Sequence, residues 1–440
     1  MSAVNAIAIR GTLLDCPAVL AGAPASARVV DDGLVVIADG LITYAGAYDV
    51  RRHAHARCMD LRGKLILPGL VDVHTHFAQT EMIAAYGEQL LDWLEKYTFP
   101  TESEFADFDH ATRVAKLFVS ELIRNGTTTA AVYGTVHPAS VDAIAHVGIE
   151  QGMQLIIGKV MMDRNCPQQL RDTAESAYVE SKVLIERWHH VERLGYAITP
   201  RFAPTSSEAQ LDAAAALWDE FPDVYLQTHV AENEAEVRWV RELFPQARSY
   251  LDVYARHNLL RPRTVLGHCI HMDSRDREAL CNADATIAYC PSSNSFLGSG
   301  LFDLDAARRT SPASVQRLGI GTDVGAGTSF SVFRTLGEAY KVAQLRGQSC
   351  TPAEMLYHAT LGGAHSLHLE DKIGSLVAGK YADIVVLDPH ATPLSSARAA
   401  RCDDPIEQWF ALCMIGDDRH VSETYIRGQL AHATADVSVS

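Results

Sequence analysis

Residues 67–79 read LPGLVDVHTHFAQ, an apolar run opened by Pro68-Gly69 that carries His74 and His76 on either side of one threonine. Side chains alternate along a strand, so the two histidines are expected on one face, with Val73 and Thr75 on the other. Two neutral imidazole nitrogens aimed at one point suit a metal ion. The pattern alone is weak, because two ordinary half-buried histidines have the same spelling. The chain also carries a second copy: His53-Ala54-His55 lies in VRRHAHARCMD among arginines, with no apolar strand, and reads as a solvated surface run.

Context separates the two copies. Between about residues 65 and 325 short apolar or β-branched runs alternate with segments of helical period. The runs are KLILPGLVDVHTH, TTTAAVYGT, LIIGKVMMD, YAITPRFAP, VYLQTHVAEN, TVLGHCIH, ATIAYCPSSN and LGIGTDVGAG. Between them lie helix candidates such as FDHATRVAKLFVSELIRNG, ESAYVESKVLIERWHHVERLG, SEAQLDAAAALWDEF and ENEAEVRWVRELF. Eight strands separated by helices imply right-handed βα units, and most simply an α/β fold of the (β/α)₈ TIM-barrel type.

Outside the barrel both chain ends return to strand character. VVDDGLVVIADGLITYAG reads as a hairpin turning at Asp39-Gly40, and GKYADIVVLD reads as a strand following two further helices. A small composite β domain is expected from residues 1–66 and 372–440, flanking a barrel over 67–371. The connection after the first barrel strand, about residues 77 to 103, is long for a βα loop. It contains EMIAAYGEQLLDWLEKYTFP, whose Leu90, Leu91, Trp93 and Leu94 suggest a lid.

Barrel enzymes assemble their sites at the C-terminal ends of the strands, and each polar signal falls there. Strand one ends in His74 and His76, strand five in His229, strand six in His268 and strand eight in Asp323. Nitrogen-rich donors with one carboxylate suit a divalent transition ion, zinc first and iron second. Glu232, three residues past His229, is placed to reach a metal-bound water without binding the metal; the alternative is a carboxylate favoured by the N-terminus of the following helix. Arg201, at the end of strand four, suits a carbonyl oxygen of a substrate, or else a structural ion pair.

Composition narrows the partners. The formal charge is 38 minus 54, or −16, with no basic run to counter it, which argues against nucleic-acid polymers. No window reaches the roughly 18 to 20 apolar residues of a membrane span. Nine cysteines without a CxxC pair argue against a disulfide framework and fit a reducing cytoplasm. GSLVAGK at 374–380 has phosphate-loop spacing, but Tyr381 replaces the required Ser or Thr and a strand follows. The P-C-x-x-C element that accompanies H-x-E in one zinc-binding hydrolase fold does not occur.

In order along the chain, PGLVDVHTHFAQ, AYGEQLLDWLEKYTFPTE, NGTTTA, RFAPTSSE, QTHVAEN, GHCIH, CPSSNSFLGSG, GTDVGAGTSF and ATLGGA resemble the guanine deaminases of the amidohydrolase superfamily. The resemblance runs almost end to end. It implies one zinc ion per chain, usually a homodimer, and hydrolysis of the free base guanine to xanthine and ammonia by a metal-bound hydroxide. The same chemistry on 8-oxoguanine, a pterin or an ammeline-type aminotriazine is the alternative. Carried over residue by residue, the metal ligands are His74, His76, His229 and Asp323. His268 orients the hydrolytic water, with ligation possible, and Glu232 and Asp323 move protons. Gln79, Arg201 and the Phe202 backbone contact substrate, beside His76 and Glu232. Binuclear relatives with a carboxylated lysine fit less well, since strand four has no lysine; Lys159 on strand three is the exception to watch.

Overall fold

The computed structural model describes residues 6–19, 25–53, 56–87, 89–308 and 317–434. Ala54 and His55 of the second HxH lie outside the described residues. Four strands come first: β1 (Ile7–Asp15), β2 (Arg28–Ala38), β3 (Leu41–Ala47) and β4 (Arg57–Pro68). The β2–β3 hairpin turns at Asp39 and Gly40, whose φ values of 52° and 80° are the left-handed pair that a two-residue turn of matching twist requires.

Eight parallel strands then form the barrel: β5 (Leu70–His76), β6 (Thr127–Tyr133), β7 (Gln154–Gly158), β9 (Leu194–Pro200), β10 (Tyr225–Val230), β11 (Thr264–His268), β12 (Thr286–Tyr289) and β13 (Arg317–Ile320). A short β8 (Val160–Met161) pairs with β9 beyond the end of β7. The ladder runs from β5 to β13, and the seam is bridged just past β13, where Asp323 N–H donates to His74 O and His76 N–H to Val324 O, both at 2.9 Å. All eight sequence runs contribute a barrel strand.

Helices cover the outside as the periodicity predicts, over Phe108–Arg124, Ala174–Trp188, Glu208–Glu220 and Glu234–Leu243. Each begins at a residue whose side chain accepts from the first turn: Asp107, Thr173, Ser207 and Asn233. After the barrel, the segment around TPAEMLYHATLGGAHSLHL forms two helices, Pro352–Ala359 and Leu361–Ser366, broken at Thr360.

The chain ends meet in one mixed sheet. With β14 (Ile384–Leu387), β15 (Val421–Ile426) and β16 (Gln429–Ala433), its order is β16-β15-β14-β4-β1-β2-β3. A C-terminal strand thus pairs antiparallel with β4, and β4 pairs parallel with β1. The phosphate-loop lookalike is a connection in which Lys380 Nζ donates to Ser375 Oγ at 2.6 Å.

Two details differ from the sequence reading. KLILPGLVDVHTH is two strands in different sheets, parted at Gly69, where an added Cβ would lie 2.1 Å from Thr128 Oγ1. Simple alternation also fails on β5. The β5–β6 register advances by two on β6 (Ala130 to Val132) while β5 advances by three (Asp72 to Thr75), which is a bulge. Val71 and Val73 therefore join Ala131, Ile156, Ala197, Val265 and Ala288 in one apolar layer. The two histidines stand together above it.

Candidate metal centre and active site

His74 and His76 close β5, and His229 lies on the last turn of the pleat of β10. His268 ends β11, and Asp323 follows β13 by three residues. The backbone at these ends is specialised: Ala231, His268 and Asp323 have φ of 51°, 70° and 51°, a region that non-glycine residues seldom adopt. Room for His74 comes from Gly267 on the neighbouring wall, where a Cβ would meet His74 Cε1 at 2.8 Å.

The donors of His74, His76, His229 and Asp323 form one group. His76 Nε2 lies 3.3 Å from His74 Nε2 and 3.2 Å from His229 Nε2, and Asp323 Oδ1 lies 3.3 Å from both His74 Nε2 and His76 Nε2. A tetrahedral ion bound at about 2.0–2.1 Å separates its donors by about 3.3–3.4 Å, so these spacings fit one ion of that size. Burial pushes the His76 imidazole down to about 4 and holds His229 well below its ordinary range, so both rings are neutral near pH 7. Burial opposes ionisation of Asp323, but its hydrogen bonds with His74 and His76 prevail and hold it well below the usual carboxylate range. Neutral nitrogens and a carboxylate facing one another form a hollow that a cation stabilises.

Outer contacts orient these donors. The Arg201 carbonyl, which can only accept, takes His229 Nδ1–H at 2.7 Å and leaves Nε2 free to face the centre. Asn294 Oδ1 lies 2.8 Å from His268 Nδ1, which aims His268 Nε2 at Glu232 Oε2 (3.3 Å) and Asp323 Oδ2 (3.9 Å). His268 thus stands beside the four-donor group rather than in it. Tyr133 stacks on His76 with ring centroids 4.4 Å apart.

Glu232 is 3% exposed and turned into the pocket. The cap of the next helix is made by Asn233 with Glu236, which leaves Glu232 outside that role. Glu236 accepts from the Glu232 N–H at 2.9 Å, and Ser299 Oγ donates to Glu232 Oε1 at 3.2 Å. Burial, reinforced by the charge of Asp323, pushes Glu232 up to about 8.

A cavity lies above the donors. Its walls include His76, Gln79, Arg201, Phe202, Glu232 and His268, and the 77–103 segment closes it with Leu90, Trp93 and Leu94. Leu91 instead lines a separate groove with Trp239. Glu102, which the sequence reading passed over, is 1% exposed and accepts from Gln79 Nε2 at 3.0 Å and Arg201 Nη1 at 2.6 Å. Its only sequence signal is a carboxylate in the lid segment. Asn294, Ser299 and Glu236 were also unassigned, although CPSSN and LGSG close strand seven. Lys159 is fully buried but paired with Asp172 (2.6 Å) and Glu180 (3.2 Å), and it does not line the cavity.

The sequence pattern of the amidohydrolase family matches residues 65–431. A guanine deaminase of Escherichia coli (strain K12) is 47% identical over 431 residues, covering 97% of both chains. The solved E. coli guanine deaminase superposes with a TM-score of 0.94 at 46% identity, over 98% of this chain and 100% of that one. Guanine deaminase from C. acetobutylicum, solved with guanine bound in the active site, gives 0.87 at 27% identity over 97% and 100%. Among the described residues no helix is long and apolar enough to cross a membrane. With its HxH, His229 and Asp323 gathered at the barrel mouth and its likeness running the length of both chains, the protein belongs to the amidohydrolase family, in the guanine deaminase branch.

Proposed function

We propose that this protein hydrolyses guanine to xanthine and ammonia, using zinc held by His74, His76, His229 and Asp323. The observation that carries the reading is the pairing, in one cavity, of a four-donor centre with Glu232 on one side and Arg201 and Gln79, both bonded to Glu102 behind them, on another. Three nitrogens and one carboxylate favour zinc, with iron second. Such an ion lowers the pKa of a bound water from 15.7 to about 7, which supplies a nucleophile at neutral pH.

The chain's own residues do the rest. The positive charge held by the four donors would offset the burial that otherwise keeps Glu232 protonated, so that Glu232, as carboxylate, takes a proton from the attacking water and delivers it to ring N3, which makes C2 electrophilic. His268, fixed by Asn294, holds the water against C2. Asp323 relays a proton to the departing amine, and ammonia leaves. Arg201 and Gln79 bind the carbonyl end of the ring, the Phe202 backbone borders it, and Leu90, Trp93 and Leu94 exclude bulk water. A homodimer is part of the same proposal, read out by molar mass in solution.

The test is metal analysis of purified protein combined with product identification from guanine. The expected result is about one zinc per chain, with xanthine and ammonia in equal amounts. Metal-loaded protein that leaves guanine untouched would overturn the assignment.

A further inference from the structure

Glu102 is an acceptor without a donor of its own, buried where the lid meets the barrel. One carboxylate oxygen takes a hydrogen bond from Gln79 Nε2 at 3.0 Å, and the other takes one from Arg201 Nη1 at 2.6 Å. The far side of the Gln79 amide meets a group that can only donate, the Gly325 N–H, 3.2 Å from Oε1. An amide held between an acceptor-only carboxylate and a donor-only N–H has a single satisfied orientation. Its nitrogen lies on the Arg201 side and its oxygen on the Gly325 side.

We propose that Glu102 is a positioning residue that sets the substrate selectivity of this site, and this rests on the guanine reading above. By fixing the Gln79 amide and the Arg201 guanidinium together, it makes their shared corner of the cavity present only N–H groups. Such a corner accepts a ring oxygen substituent, the 6-oxygen of guanine. It rejects a 6-amino group, which would set donor against donor and leave buried polar groups unpaired. Glu102 neither belongs to the four-donor group nor lines the cavity itself, so it acts through its two partners, which do line it.

Glu102→Gln replaces one acceptor oxygen by an NH₂. Arg201 keeps an acceptor only if the new amide nitrogen faces Gln79, and Gln79 must then turn its oxygen toward it. The experiment compares kcat/KM for guanine with that for loss of the 2-amino group from 2,6-diaminopurine, with products separated chromatographically and zinc and Tm measured on the same samples. The variant is expected to lose at least tenfold on guanine, mainly through KM. The guanine to 2,6-diaminopurine preference should shrink by at least tenfold, with metal content unchanged.

Equal loss on both purines would reduce Glu102 to a structural ion pair, and unchanged guanine kinetics would remove it from the site; either overturns the inference. Should Glu102→Gln fail to fold, Glu102→Asp keeps the charge but withdraws it by one methylene. That variant should raise the KM for guanine while keeping the preference, and an unaltered KM overturns the inference. Wild-type protein inert toward guanine would sink the functional reading instead, so the two failures are distinguishable.

Discussion

Glu232 and Arg201 are each one side chain with two readings, and the contacts around them now weight those readings. Glu232 has no part in capping its helix, and its carboxyl is held by Ser299 in the cavity. Glu232→Gln should therefore retain its metal and lose about 10² to 10⁴ in kcat, the span of a positioned proton-transfer group. Steady-state kinetics beside metal analysis check this; near-normal kcat with a lowered Tm would return Glu232 to a structural role. The Arg201 side chain is 4% exposed and paired with Glu102, and it also lines the cavity. Arg201→Ala should cost about 3–5 kcal/mol of stability, since it strands a buried carboxylate. It should also lower kcat/KM on guanine about 10- to 150-fold. On 2-aminopurine, which has hydrogen at position 6, the kinetic loss should be much smaller, and equal losses would leave only the ion pair.

The lid and the first barrel strand are the elements on which the site depends. Leu90, Trp93, Leu94 and Phe99 pack with Tyr133, Val160, Met162 and Phe202 in a cluster separate from the main core. Trimming residues 84–98 should accordingly leave the barrel folded while KM rises and turnover slows. Circular dichroism with kinetics decides, and a chain that no longer folds would place the segment in the core. At Gly69 the chain leaves the mixed sheet and enters the barrel with Thr128 packed against its Cα. Gly69→Ala should destabilise by about 1–3 kcal/mol through overpacking, measured by denaturant unfolding. Thr128→Ser in the same background removes the methyl but leaves the hydroxyl, and should recover little; Thr128→Ala should recover most.

For the whole molecule, metal and fold are coupled, because the donors come from strands that are far apart in the chain. His74 and His229 are separated by four βα units, and Asp323 bridges the barrel seam through His74 O. An ion binding only the folded arrangement stabilises it by mass action. Chelation should therefore lower Tm and abolish activity, and readdition of zinc should restore both. His229→Ala should purify with little metal and show a Tm that chelation no longer changes. An unmodified chain that keeps full activity after complete metal removal would refute the centre.

Local pattern carried much of this. The eight apolar runs, the helices between them, the Asp39-Gly40 turn and the placing of His74, His76, His229, His268 and Asp323 at strand ends are all written within a few residues of themselves. Side-chain periods of 2 and 3.6 and the chemistry of turns act over that range, so the barrel and its metal donors were legible from the amino-acid order. Other features depend on neighbours remote in sequence. The bulge after Asp72 exists only relative to β6, and the parting of β4 from β5 only relative to β14 and Thr128. The His229 tautomer is set by a carbonyl 28 residues away, and Glu102 meets Arg201 across 99 residues. Register and hydrogen-bond partnership are relations between chain segments, and only packing brings those segments within the roughly 3 Å over which such bonds act.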